Sequence, residues 1–186
     1  MNMQIMFFLI GVIGLVMFLI GGKMLIKKYK SKIIGELKLS DNLNEINFEK
    51  TGLYSVCVVG GGYANNLGNF EAKITNNGNE IETVEKQMKF KFHHKGKLAT
   101  EFYQFEIENP GMHKFIFKSI EDLEVKESML VSKRLFQKKL PSEKIEILVK
   151  ETSSSSKFIT GLLMTVFGFN IAGWGVILAF NPQLFH

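Results

Sequence analysis

The side chains of this 186-residue chain that could bind a metal, carry a nucleophile or move a proton are four histidines, one cysteine and 18 acidic residues. His93 and His94 adjoin in a stretch that alternates as a strand, so their rings point to opposite faces and cannot chelate one ion together. His113 could approach either of them, but no Cys, Asp or Glu stands beside any of the three at a metal-ligand spacing. The pattern predicts solvated strand and turn histidines, no metal site and no cofactor. Cys57 lies between Val56 and Val58 and reads as inert core; being single, it cannot form an intramolecular disulfide. No serine occupies a nucleophile elbow. The acidic residues are scattered at strand alternation, which predicts a solvated face rather than a catalytic pair, so no enzyme is expected.

Gly60, Gly61 and Gly62, followed by Tyr63, Asn65 and Asn66, are the one place where a phosphate cradle could be sought. A P-loop needs Lys and then Ser or Thr at the head of a helix, and a dinucleotide loop needs separated glycines opening one. Another strand follows here instead. The cluster is expected to be a wide loop or bulge; as a binding loop it would present one ring and two amides to a partner. Nucleic-acid binding is not expected either, because Arg134 is the one arginine among the 23 basic residues and the aromatics fall mostly at strand-core positions.

The elements that must position these residues are set by an uneven distribution of charge. Residues 27–157 hold all 18 acidic side chains and all but one of the basic ones, Lys23 being the exception. Residues 3–26 and 158–180 are apolar runs long enough to cross a bilayer as helices. A cleaved signal peptide would carry positive charge before a shorter apolar stretch, whereas Lys27, Lys28, Lys30 and Lys32 follow the first run. These lysines suit a membrane surface, where each gains about 1 kcal/mol from anionic headgroups. They also predict orientation, because basic residues next to a span favour the cytoplasmic side. Lys38 extends this flank, and Lys139, Lys144, Lys150 and Lys157 precede the second run. The expectation is a two-span cell-membrane protein with residues 27–152 cytoplasmic and both termini outside. The alternative is an extracytoplasmic middle, since long loops can translocate regardless of charge.

In the second run Gly161, Thr165, Gly168, Ala172, Gly175 and Ala179 follow steps of four and three, one continuous helix face. A stripe without bulky side chains lets another helix approach closely in lipid. Gly11, Gly14, Gly21 and Gly22 make the first run the natural partner; a second copy of the chain or a larger membrane protein could use the stripe instead. Asn170 lies off it.

Between the runs the prevailing period is two. Strands are expected over 33–39, 53–59, 98–107 and 112–118. Phe70, Ala72 and Ile74 mark another, as do Ile81 with Val84, Met88 with Phe90 and Phe92, and Ile145 with Ile147 and Val149. Gly96 and Gly78 sit in polar turns that predict hairpins. On the long strand, Phe102 and Tyr103 are expected on opposite faces. Residues 119–134 could hold a short helix or an added hairpin, and 153–157 form a serine-rich tether. The number and spacing of strands predict an antiparallel β-sandwich of the jelly-roll kind over 27–152. One phrase occurs twice: Phe48 with Gly52 and Tyr54, and Phe105 with Gly111, His113 and Phe115. Each reads as an aromatic strand end, a glycine reversal and a strand opening on a ring. The pair resembles the repeated signature of β-sandwich modules such as GOLD domains and pre-peptidase C-terminal domains, over roughly residues 44–118, with His113 where those families carry tyrosine. The resemblance implies a non-catalytic module for binding or assembly.

Together these features predict an accessory or structural membrane subunit whose β domain binds a partner protein. An immunity-type protein that neutralises a membrane-active toxin suits the same features, as does a membrane-bound module for a small ligand.

Overall fold

The computed structural model describes residues 3–39 and 44–185. The chain divides into a helical unit, Met1–Lys30 with Ser153–His186, and a β unit, Ser31–Thr152.

The helical unit contains α1 (Met3–Tyr29) and a second long helix, Ser155–Phe180. Both are long and apolar enough to cross a membrane. The first outlasts its apolar run by a turn because Lys27 and Lys28 are good helix formers. The second begins inside the expected tether: Ser154 accepts the Lys157 N–H on its side-chain oxygen at 3.4 Å, so Ser155 and Ser156 are already helical.

The β unit holds twelve strands among its described residues: β1 (Ile33–Lys38), β2 (Asn44–Phe48), β3 (Gly52–Val59), β4 (Tyr63–Asn66), β5 (Glu71–Asn76), β6 (Asn79–Ile81), β7 (Thr83–Glu85), β8 (Lys91–His94), β9 (Lys97–Ile107), β10 (Gly111–Lys118), β11 (Leu123–Lys126) and β12 (Glu146–Glu151). A short helix, α2 (Val131–Phe136), precedes β12, and the last long helix is α3. One antiparallel sheet has the order β1-β12-β3-β9-β7, with β8 also on β9; a second has the order β2-β10-β5-β6; β11 and β4 form a separate ribbon. Residues 119–134 thus hold a strand as well as a helix. The expected strand through Ile81 and Val84 is split, β6 joining the second sheet and β7 the first.

Both expected hairpins are present. Their two-residue turns, Lys95-Gly96 and Asn77-Gly78, have positive φ at both positions, as a type I′ turn requires. The repeated phrase does something different from a tight reversal. Gly52 and Gly111, at φ 146° and 132°, each carry the chain from one sheet to the other. Phe48 therefore meets Tyr54 at 4.7 Å, Phe105 at 6.0 Å and His113 at 5.1 Å, and Phe105 meets Phe115 at 5.8 Å. The two phrases supply the aromatic centre of one apolar cluster drawn from both sheets.

The alternation on β9 fails at one residue. The pairing with β3 slips between Val56 and Cys57, leaving Phe102 as the extra residue of a bulge. Phe102 and Tyr103 are consequently not on opposite faces; both stand 5.9 Å from Phe70. Beyond the bulge the β8–β9 hairpin reaches back to β1, where Lys95 binds Glu36 at 2.6 Å and His94 lies 3.3 Å from the same carboxylate. The Lys95 ammonium holds the Glu36 carboxyl below its ordinary range. The first sheet is thus curled on itself, and its outer face encloses a second small core of Cys57, Val59, Phe92, Ala99 and Leu148.

Candidate functional site

The stripe on α3 lies against α1. A side chain at Gly168 would come within 2.4 Å of the Phe18 nitrogen, one at Gly175 within 2.4 Å of the Gly11 Cα, and one at Gly14 within 2.4 Å of the Ala172 nitrogen. Gly161 and Thr165 face Gly21, and Ala179 is buried. The helices run antiparallel, and the stripe is occupied inside the chain rather than left open for a second one. Gly22 and Gly173 face open space. Thr165 donates to the Gly161 carbonyl and Asn170 to that of Val166, so both polar groups are satisfied within their own helix.

The four lysines that follow the first apolar run are not equivalent. Lys27 and Lys30 are exposed, and Lys32 forms an exposed pair with Glu49 at 3.7 Å. Lys28 is buried, its ammonium 5.2 Å from the centre of the Phe158 ring.

The glycine cluster is explained by the chain that presses on it. A side chain at Gly61 would meet the Lys126 carbonyl at 2.4 Å, and one at Gly62 would meet Met129 at 2.5 Å. Tyr63 lies under the Arg134 guanidinium at 3.9 Å. Asn66 is spent on its own turn, donating to the Phe70 carbonyl and accepting the N–H groups of Gly68 and Phe70. Asn65 lies in β4 opposite Glu124. These residues therefore shape the floor beneath the segment that leads to α2.

That segment is the most unusual surface of the β unit. Met129, Leu130, Val131, Leu135 and Phe136 are all exposed, Leu135 to 74 % and Phe136 to 91 %, although large apolar side chains in such a run normally turn inward. Its basic neighbours are Lys133, Arg134, Lys138 and Lys139, and residues 128–142 contain no acidic side chain. The Ser128 N–H donates to the Gln137 side chain, and the Leu140 N–H donates to the Val125 carbonyl, closing the base of the segment. The position is set by pairing: the segment enters β12 at Glu146, opposite Val59, whereas the chain leaves for α3 beyond Glu151, opposite Tyr54. Six extended residues separate the two ends by about 20 Å. The sequence contains the apolar run but not its exposure, which depends on the rest of the unit offering it no core.

A buried charge cluster also escaped the alternation pattern. The acidic residues were expected on a solvated face, yet Glu101 is 0 % exposed, and Lys86 and Lys150 are buried with it, Lys150 at 1 %. Glu101 accepts from Lys86 at 2.7 Å and from the Thr152 hydroxyl at 3.2 Å, and lies 3.9 Å from Lys150. The Lys150 ammonium sits 4.0 Å over the Phe92 ring. Burial lowers the pKa of Lys150 and pushes the neighbouring Cys57 thiol up to about 12, which keeps it protonated and unreactive. His113 is likewise not solvated: it is 1 % exposed within the aromatic centre. It and the adjacent pair His93 and His94 belong to different sheets. Among the described residues no group of three or more metal-ligating side chains converges.

Comparison with protein-family models, curated proteins and solved structures gives no match to this chain.

Proposed function

We propose that the protein is a non-catalytic, two-span membrane subunit that displays a jelly-roll β-sandwich to a protein partner, and that the apolar-basic segment 129–139 is the docking surface. The strand orders β1-β12-β3-β9 and β2-β10-β5-β6 support the jelly roll, because two interlocked Greek keys generate them. The observation that carries the reading is the cluster of five exposed apolar side chains bordered by lysines and an arginine at the end of β12 remote from the connection to α3. Its complement is a protein surface with an apolar groove and an acidic rim, since large apolar anchors supply affinity while rim charges steer encounter. The α1–α3 contact makes the anchor one antiparallel pair. Lys27, Lys28, Lys30 and Lys32 support a cytoplasmic β unit with both termini outside.

A photocrosslinker in place of Phe136 is expected to give one discrete protein adduct in cells, and the same group in place of Met112, on β10, none. The complex should survive purification in mild detergent and be lost when Leu135→Glu and Phe136→Glu are combined. A monodisperse monomer with no adduct at position 136 would overturn the reading.

A further inference from the structure

A charged side of α1 stays uncovered by α3. The first helix turns Gly11, Gly14, Gly21 and Leu25 toward its neighbour, and the buried Lys28 continues that side with its ammonium 5.2 Å from the centre of the Phe158 ring. Lys23, Lys27 and Lys30 each stand two residues beyond one of these contacts, after Gly21, Leu25 and Lys28 in turn, which is about 200° around a helix. Lys30 keeps the helical register, because its N–H donates to the Ile26 carbonyl at 2.9 Å. The three lysines therefore share the side of α1 that points away from α3, and all three are exposed.

No carboxylate answers them. Residues 1–30 and 153–186 contain no Asp or Glu, and among the described residues Lys23, Lys27 and Lys30 have no ion-pair partner, whereas Lys32 pairs with Glu49 at 3.7 Å. Their depth matters as much as their charge. Lys23 lies inside the apolar run, with Met24, Leu25 and Ile26 between it and Lys27, and an ammonium that faces lipid there is costly until it meets water or a counter-charge. A lysine stem lets its charged head reach toward the boundary. Seven residues of helix carry Lys30 about 10 Å further along the axis, so the row runs from the edge of the hydrocarbon into the headgroup layer. A phosphodiester at that level meets Lys23 from the hydrocarbon side and Lys27 and Lys30 from the water side. Ile20, Val16 and Ile13 continue the same side of the helix inward and are exposed, which offers acyl chains an apolar track. A headgroup that brings its own cation, as choline does, sets like charge against the same lysines.

We propose that this side of α1 binds one anionic glycerophospholipid, its phosphate held by Lys23, Lys27 and Lys30 and its acyl chains lying along Ile20, Val16 and Ile13. The proposal rests on the two-span reading and is independent of the docking role of segment 129–139.

Native mass spectrometry of the full chain in neutral detergent, with phosphatidylglycerol and phosphatidylcholine of matched acyl chains at equal concentration, tests the proposal. One phosphatidylglycerol is expected to be retained per chain, with at least a tenfold preference over phosphatidylcholine. The combined Lys23→Gln, Lys27→Gln and Lys30→Gln variant should lose the preference, and Lys23→Arg, Lys27→Arg and Lys30→Arg together should keep it. Lys133→Gln, Lys138→Gln and Lys139→Gln remove as much charge from the β unit and should leave binding as in the parent. Water-soluble glycerol phosphate should not displace the lipid. Equal retention of the two lipids, equal losses in the two Gln variants, or displacement by glycerol phosphate would overturn the proposal. Alkaline carbonate washing of cell membranes separates this from failure of the two-span reading: release of the chain overturns both, whereas a chain that stays in the membrane without lipid preference overturns the proposal alone.

Discussion

Glu101 is the residue on which the outer face of the curled sheet turns. It is the one carboxylate between two buried ammonium groups and also accepts from Thr152. Removing its charge leaves Lys86 and Lys150 facing each other in an apolar surround of Phe92, Leu148 and Cys57. Breaking a buried pair in this way costs about 3–5 kcal/mol, whereas exchanging all members for apolar residues of similar volume is often neutral. Glu101→Gln is therefore expected to lower the denaturant midpoint of the β unit substantially, and the combined Lys86→Met, Glu101→Leu and Lys150→Met variant to recover most of the loss. Cys57 provides the readout: buried and held protonated, it should react with a thiol reagent only when the unit opens. An unchanged midpoint in Glu101→Gln would show that the cluster is solvated and that the curl does not seal it.

At the scale of elements, close approach of α1 and α3 rests on positions where the neighbouring backbone leaves no room for a side chain. Gly168→Leu must push Phe18 and Gly14 away, while Gly173→Leu meets nothing within 4 Å. With Met24→Cys and Gly161→Cys as reporters, whose Cβ positions lie 3.1 Å apart, and Cys57→Ala to remove the native thiol, oxidation should crosslink the two helices. Gly168→Leu is expected to suppress the crosslink and Gly173→Leu to leave it intact; equal yields would sink the packing argument. The small-residue stripe was legible in the sequence because its spacing repeats along a single helix. The hairpin turns were legible because positive φ at two successive positions leaves its mark on residue type, as at Asn77-Gly78. Alternation, by contrast, reports a solvated face only while one side of a sheet is wet. The bulge at Phe102 and the return of the β8–β9 hairpin to Glu36 close off the second side of the first sheet. Both arise from pairing between residues far apart in sequence, so Glu101 read as a surface charge and its burial with Lys86 and Lys150 left no mark on the alternation. The same limit hid the division of the strand expected through Ile81 and Val84 between two sheets.

For the molecule as a whole, the +5 charge resolves into separate regions. Basic residues gather after α1 and around the apolar segment before β12, while Glu80, Glu82, Glu106 and Glu108 line a separate acidic region of the β unit. Orientation should follow the residues nearest the two long helices, because charge deep in a long loop has little influence on which side it occupies. Those residues are Lys27, Lys28, Lys30 and Lys32 on one flank and Lys157 on the other, and no acidic side chain lies between Lys27 and Lys32. Burial of Lys28 removes one of them from the headgroups in the folded state, but the chain chooses its side while inserting, before the helices have packed, so all four should count. Cys57 cannot report the outcome, being fully buried. Met112 can, since its side chain is exposed on β10, and Met112→Cys combined with Cys57→Ala places one accessible thiol on the β unit. An impermeant maleimide is expected to label this variant in permeabilised cells and to leave it unlabelled in intact ones. Labelling in intact cells would reverse the assignment, put the apolar-basic segment on the outer side, and restrict it to extracytoplasmic partners.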